Sequence, residues 1–413
     1  MIHSLGQRLR GYFRFLRAMV CLPVAYVIPR DAHLAVFGAW GGNNYSDNPK
    51  YFMRWLRGHT DIRCVWIGRP HLRDRVEGEF VEQGSWKAFW LCLRAALFVC
   101  NINCMDDIMD VPLRGRVFLY NAWHGIPLKK IGQHQLSTGA HVPHGLRERI
   151  MERLHCRLAR QQAWTSVSSP GMGKIMVEAW PKWFAPSRIL YAGLPRIDFL
   201  IQNRGNGDFR RALKEHYARL LGLPVDKRWF LYLPTFRHNS KAFTFSECPK
   251  ELGLDEILRA RHAVLVEKQH PRVMEQMVKG GNPHNAQCVF LLSGHQAQEV
   301  DVQELLLVAD RLITDYSSCY FDFALTGRPV LHFAYDYEVY RSQDTGAYYD
   351  LAEVCAGPVC PTLQILLDWL SKPDVAFHGT RGRRFGELVA CERGNASESV
   401  YHAYRNALGL DEK

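Results

Sequence analysis

Between Arg311 and Asp336 the chain reads RLITDYSSCYFDFALTGRPVLHFAYD, and few folds can hold such a run. Arg311–Thr314 has the apolar density of the end of a short buried strand. Asp315-Tyr316-Ser317-Ser318 is a polar turn rich in helix-capping side chains. Cys319–Thr326 has the pattern of a helix, Gly327 follows its C-terminus, and Pro329–Phe333 is a second apolar strand. Two strands joined through a helix in so few residues make a βαβ unit, whose strands run parallel. In open parallel sheets, ligands collect where strands end and helices begin. Two adjacent serines there are expected to cap the helix and to donate to a phosphate, with the helix dipole adding positive potential. Ser317, Ser318 and Asp315 are therefore candidate phosphate-binding residues.

Apolar runs alternate with helical patterns along the rest of the chain. Strands are expected at Leu34–Phe37, Cys64–Ile67, Ala96–Asn101, Val117–Asn121, Trp164–Ser168 and Ile189–Ala192, then at Phe230–Leu233, Ala263–Glu267 and Val289–Leu292. This is an α/β pattern, and 413 residues give room for two full cores. The expected division is a basic amphipathic segment at 1–30, a Rossmann-like αβα domain at 31–200, a linker at 201–209, a second Rossmann-like domain at 210–390 and a C-terminal helix at 391–413. Such sheets are expected to present their carboxyl edges to one another across a cleft.

Polar residues cluster where these strands end. Gly41 and Asn43 follow the first strand in GAWGGNN, where close glycines allow tight turns and close approach of a ligand. The loop lacks GxGxxG, so no dinucleotide fingerprint is present. His124 follows the strand ending at Asn121 and is succeeded by Gly125, Pro127, Lys129 and Lys130. A neutral imidazole there can take a proton from a hydroxyl, and the lysines can hold phosphates or meet developing negative charge. Arg196 and Asp198, in GLPRID, either serve the site or pair with each other. In the second half Thr235 and Arg237 offer a diphosphate clamp, and Lys268 and His270 close another strand in KQHPR.

The balance of 52 Lys+Arg against 41 Asp+Glu, a net +11, suits an anionic partner without choosing one. The twelve cysteines are scattered with no C-x2-C pair, the usage of buried thiols in a reducing compartment. No run reaches the ~20 apolar residues of a membrane span. Arg8, Arg10, Arg14 and Arg17 interleave with Leu5, Leu9, Phe13 and Leu16, a basic amphipathic pattern suited to an anionic bilayer surface.

Taken together, FGAWGGNNYSDNPK, WHGIPLKKIG, YAGLPRID, YLPTFRHN, QHP and LITDYSSCYFDFALTGRPVLHFAYD resemble the CDP-glycerol glycerophosphotransferase family of teichoic-acid and capsule-polymer enzymes. The resemblance spans about Val36 to Tyr349. It implies a GT-B-type fold and a CDP-glycerol or related CDP-alditol donor held mainly by the second domain. A hydroxyl of a lipid- or glycan-linked phosphate acceptor would attack the β-phosphorus and release CMP. It further implies His124 as the base, His270 as a phosphate or leaving-group contact, and Ser317 and Ser318 as donor contacts. Enzyme and acceptor would meet at the inner face of the plasma membrane, with no nucleic acid involved. No cofactor or metal is expected, since no metal-ligand spacing is visible. Ile126 and Ile197 depart from the family's threonine after WHG and asparagine in GxPRND, which bears on the acceptor side. Two alternatives stand: a GT-B glycosyltransferase using a nucleotide sugar, and a non-catalytic protein binding polyanions or membrane.

Overall fold

The computed structural model describes residues 22–109, 111, 113, 115–135, 163–235, 243–269, 287–292, 294–339 and 346–410. They form two compact units. The first takes the chain to His124, then 139–198 and the last residues from Cys391; the second takes 125–138 and 199–390.

In the first unit β1 (Asp31–Phe37), β2 (Arg63–Gly68), β3 (Glu79–Glu82), β4 (Ala95–Cys100) and β5 (Phe118–Asn121) form one sheet in the order β3-β2-β1-β4-β5. Every pairing is parallel. A short parallel pair, β6 (Thr165–Ser166) and β7 (Ile189–Leu190), follows, and Trp164 bridges back to Tyr120 of β5. β4 and the second half of β1 are buried because helices cover both faces. Phe37, Phe52, Trp66 and Tyr120 fill one side of the sheet together with Val400 and Tyr404 of the last helix, Ala396–Ala407. That helix belongs to the first unit. Asp198 accepts the N–H groups of Ala396 and Ser397 (2.9 and 2.7 Å), closing its N-terminus as a cap would.

In the second unit β8 (Arg228–Leu233), β9 (Ala263–Glu267), β10 (Val289–Leu291), β11 (Arg311–Thr314), β12 (Val330–Phe333) and β13 (Val359–Cys360) line up as β10-β9-β8-β11-β12-β13, all parallel. The βαβ unit read from the sequence is present, with Leu312, Ile313 and Thr314 in register with Val330, Leu331 and His332. Arg311 is fully buried at the start of β11. Its guanidinium reaches Asp374 and the carbonyls of Leu370 and Lys372 and lies over Phe230 and Phe377. In both sheets the strand order turns outward in opposite directions from a central pair, β1/β4 and β8/β11. This is the topology that opens a crevice at the carboxyl edge between those strands.

Several expectations change. The stretch 201–209 is not a break: the helix Pro195–Asn203 runs almost directly into Gly207–Leu221, whose cap Asn206 accepts the Phe209 N–H. The unit boundary lies instead at Asp198/Phe199, and the last residues return to the first unit. The edge strands β3 and β13 were not foreseen, being short and half-polar or only two residues long. Of the segment 1–30, the described part holds the short helix Leu22–Val27; the basic amphipathic part lies outside the described residues. No described helix is long and apolar enough to cross a membrane.

The glycine just after β1 serves the chain itself rather than a ligand. An ideal Cβ on Gly38 would collide with the Asp107 carbonyl oxygen, so backbone occupies the space a side chain needs. Gly38→Ala is therefore expected to destabilise the protein by about 1–3 kcal/mol. A urea midpoint equal to wild type would refute this.

Candidate active site

Residues from four parts of the chain meet at the carboxyl edge of the first sheet. β5 ends at Asn121, whose side chain accepts the Trp123 N–H (3.0 Å) and donates to the Ile102 carbonyl (2.8 Å). Trp123 then takes a left-handed conformation, φ 52°, which turns the chain sharply and presents His124. The imidazole is half-buried, stacked on Trp123 (centroids 4.3 Å apart) and tilted against Trp40 (5.2 Å).

Its Nδ1 lies 3.2 Å from the Asn101 carbonyl oxygen. A carbonyl can only accept, so Nδ1 carries the proton and Nε2 carries the lone pair. No described residue bonds Nε2. Burial lowers the His124 pKa below its ordinary 6.5, Arg196 lowers it further, and Asp47 and the Asn101 carbonyl pull the other way. The ring is thus neutral near pH 7 with a bare nitrogen, the state a general base needs.

Below the ring, Asp47 and Arg196 form an ion pair at 2.9 Å with both side chains only 7% exposed. The same Arg196 nitrogen donates to the His124 carbonyl at 2.7 Å. Asn48 completes the frame: its amide donates to the carbonyls of Ala122 (2.9 Å) and Trp123 (3.0 Å), and its oxygen accepts the Arg196 N–H (3.0 Å). Arg196 and Asp198 therefore do not pair with each other. One supports the His124 turn, and the other caps the last helix. Gly41, at φ 65°, donates its N–H to Asp107, and Asn43 folds its amide back onto the carbonyls of Trp40 and Gly41. Asp47, Asn48, Asn101 and Asp107 escaped the sequence reading as site residues. Asn101 alone carries a local signal, as a polar group directly after a strand.

The second cluster sits at the carboxyl edge of the second sheet, at the β8/β11 switch point. Asp315, buried at the end of β11, accepts the Thr235 N–H (2.9 Å), the Thr235 hydroxyl (2.6 Å) and the Tyr316 N–H (2.6 Å). Its carboxylate is thereby committed to joining the ends of β8 and β11. Its carbonyl accepts from Nδ1 of the fully buried His332 (3.1 Å), whose Nε2 accepts the Ala356 N–H (3.0 Å). Burial pulls that imidazole down to about 4, so it stays neutral and holds both bonds.

Ser317 and Ser318 occupy the turn as expected, but they do not cap the helix. Ser318 has helical backbone angles and no side-chain capping bond, and the helix is only Cys319–Ala324. The Ser318 hydroxyl has no partner among the described residues. Lys268 ends β9 two strands away, and burial pulls its ammonium down to about 8. Among the described residues no carboxylate lies within ion-pair distance of it. Lys129 lines a pocket with Tyr316, Tyr337 and Tyr349, and the Lys130 N–H donates to the Gly346 carbonyl (3.0 Å). Arg237 and His270 lie outside the described residues. No group of three or more His, Cys, Asp or Glu suited to a metal occurs among the described residues.

Comparison with known proteins identifies the family. The profile of the CDP-glycerol:poly(glycerophosphate) glycerophosphotransferases matches residues 20–404. The chain belongs to that family. Among its relatives is a teichoic acid glycerol-phosphate transferase of Staphylococcus aureus, 26% identical over 90% of this chain and 92% of that one. A teichoic acid poly(glycerol phosphate) polymerase of Bacillus spizizenii is 26% identical over 91% of this chain and 92% of the other. The solved structure of the wall teichoic acid polymerase TagF superposes with a TM-score of 0.74 over 98% of this chain and 99% of that chain, at 22% identity. The fold is of the GT-B type, with two Rossmann-like domains. As a member of the family the chain is a glycerophosphotransferase, and the nucleotide-sugar and non-catalytic alternatives fall away.

The frame below His124 makes a testable claim. Asp47 has a left-handed backbone, φ 66°, which asparagine also tolerates, so Asp47→Asn removes charge without straining the chain. It takes the Asp47 carboxylate away from a buried guanidinium, and a loss of up to about 3–5 kcal/mol is expected. A thermal midpoint within a degree of wild type would show the pair to be dispensable.

Proposed function

We propose that this glycerophosphotransferase transfers glycerol phosphate from CDP-glycerol to a hydroxyl of a teichoic-acid-type acceptor, with His124 as general base. The carrying observation is the Nδ1–H bond from His124 to the Asn101 carbonyl, which leaves the Nε2 lone pair free. Nε2 takes the acceptor's hydroxyl proton while that oxygen forms a bond to the β-phosphorus. The bond from the β-phosphorus to the bridging oxygen breaks, and CMP leaves with the electron pair. Phosphoryl transfer of this kind depends mostly on positioning and on charge stabilisation. The second unit supplies these through Lys268 and the turn Asp315–Ser318, with Asp315 as organiser and Thr235 as its partner. Ser317 and Ser318 face donor phosphate, and Arg237 and His270 complete the donor contacts. The chain's own cations meet the phosphate charge, and no cofactor is invoked.

In this reading the acceptor is linked to lipid, and the enzyme works on the cytoplasmic face of an anionic membrane. Trp86 and Trp90 support the membrane contact: they are 81% and 51% exposed, one turn apart on the helix Trp86–Arg94. Arg30 ties the far end of that helix to the chain emerging from the basic N-terminal segment, donating to the carbonyls of Cys92 (2.6 Å) and Ala95 (3.0 Å). Exposed tryptophans of this kind favour the interface of a bilayer. Trp86→Ser with Trp90→Ser is expected to weaken binding to phosphatidylglycerol vesicles about 10²–10⁴-fold, since the two lost rings together forgo burial of about 3–6 kcal/mol. Unchanged co-sedimentation would remove this face from the account.

The chemistry is tested by release of CMP from CDP-glycerol. His124→Ala is expected to lower turnover about 10²–10⁴-fold with donor affinity retained. In the wild type, kcat/KM should rise with pH through a midpoint below 6.5 as His124 loses its proton. It should fall again above about 8, as Lys268 loses the charge that holds the donor. Turnover near wild type in His124→Ala, or an acidic limb that survives in it, would end the assignment of the base.

A further inference from the structure

The Nδ1 proton of His124 is fixed by one peptide carbonyl, and the structure shows what fixes that carbonyl in turn. Asn101 is fully buried just past β4, and each of its polar groups is committed. Its side-chain oxygen accepts the Trp40 N–H (3.0 Å) and its amide donates to Asp47 (3.1 Å). Its own N–H donates to Asp107 at 3.0 Å. Asp107, also fully buried, takes the Ile102 N–H on the same oxygen (2.7 Å) and the Gly41 N–H on the other (2.8 Å). The two N–H groups it gathers from Asn101 and Ile102 flank the Asn101 carbonyl on either side, so the carboxylate sets the tilt of that peptide. Asp107 is itself seated by the bare α-carbon of Gly38 against its carbonyl. It lies on the short helix Cys104–Asp107, out of solvent, and its carboxylate meets backbone N–H groups rather than the imidazole.

We propose that Asp107 is a positioning residue for the transfer reaction, holding the Asn101 carbonyl so that His124 keeps its proton on Nδ1 and its lone pair on Nε2. The arrangement does the work of the carboxylate in a Ser-His-Asp triad, but with a peptide group inserted between acid and imidazole. A carboxylate is required because every group it faces is a donor, and an amide in its place would turn an NH2 towards backbone N–H. The charged or polar groups around the imidazole itself are Asp47, Arg196 and the Asn101 carbonyl, and none of them can replace the lost tilt. The inference rests on His124 being the base.

The test uses the full-length protein labelled with 15N in histidine, with His124→Gln to assign the resonances. In the wild type, His124 should show a protonated Nδ1 and an unprotonated Nε2 at pH 7.5. In Asp107→Asn the two nitrogens should move towards a shared, averaged state, and kcat should fall about 10- to 100-fold, part of what a positioned base is worth. KM for CDP-glycerol should stay within about twofold and the acidic midpoint of kcat/KM should shift. A wild-type His124 protonated at Nε2 would overturn the proposal whether or not the variant folds. A loss of kcat with the tautomer and the acidic midpoint unchanged would overturn it too, as would unchanged kcat. Wild-type CMP release from His124→Gln would instead remove the base assignment beneath it, a separate result from any of these.

Discussion

A buried charge has to be answered, and in the first unit that requirement assembles the site. Arg196 sits at the start of one helix and Asp47 at the start of another, 149 residues apart in sequence, with neither side chain appreciably in water. Once the pair forms, its further hydrogen bonds tie in the surrounding chain. They run from the guanidinium to the His124 carbonyl, and to the carboxylate from the Asn48 N–H and the Asn101 amide. Buried ion pairs add little net stability over apolar packing. Their strength lies in specifying geometry, since losing one member leaves the other stranded. Here the geometry specified is the turn that presents an imidazole.

In the second unit a carboxylate and a buried imidazole hold the site together. Its switch point is closed by Asp315 on Thr235, and the turn is braced from behind by an imidazole too deeply buried to take a proton. The two histidines are instructive side by side. His124 and His332 each donate from Nδ1 to a backbone carbonyl. In His332 the second nitrogen is consumed by the Ala356 N–H, whereas in His124 no described residue takes it. The same ring is fully engaged in one place and keeps a bare nitrogen in the other, according to what Nε2 meets.

The sheets, their parallel sense and most strand ends were legible because apolar density and turn residues are local signals. The positions of His124, Ser317 and Ser318 at strand ends were legible because they stand in such turns. The Asp47, Asn101 and Asp107 network was not, since its members come from separate elements and only tertiary packing shows that they share neighbours. Asp198 was misread for the same reason: its partner is the N-terminus of a helix some two hundred residues later. The serines were placed correctly but given the wrong bond, because a turn in helical conformation cannot be told from a capping turn by composition. β3 is an edge strand whose glutamates hide the alternation, and β13, only two residues long, is too short to show one.

The return of the last helix to the first unit has a consequence for how the protein comes into being. Val400, Tyr404 and Leu408 complete the core begun by Phe37 and Phe52, and the Tyr404 hydroxyl reaches the Ala32 carbonyl at 2.5 Å. Domains usually fold in the order in which they are made, N-terminal first. Here the second unit has all its residues before Cys391 is synthesised, while the core of the unit carrying His124 stays incomplete until the helix Ala396–Ala407 has been made.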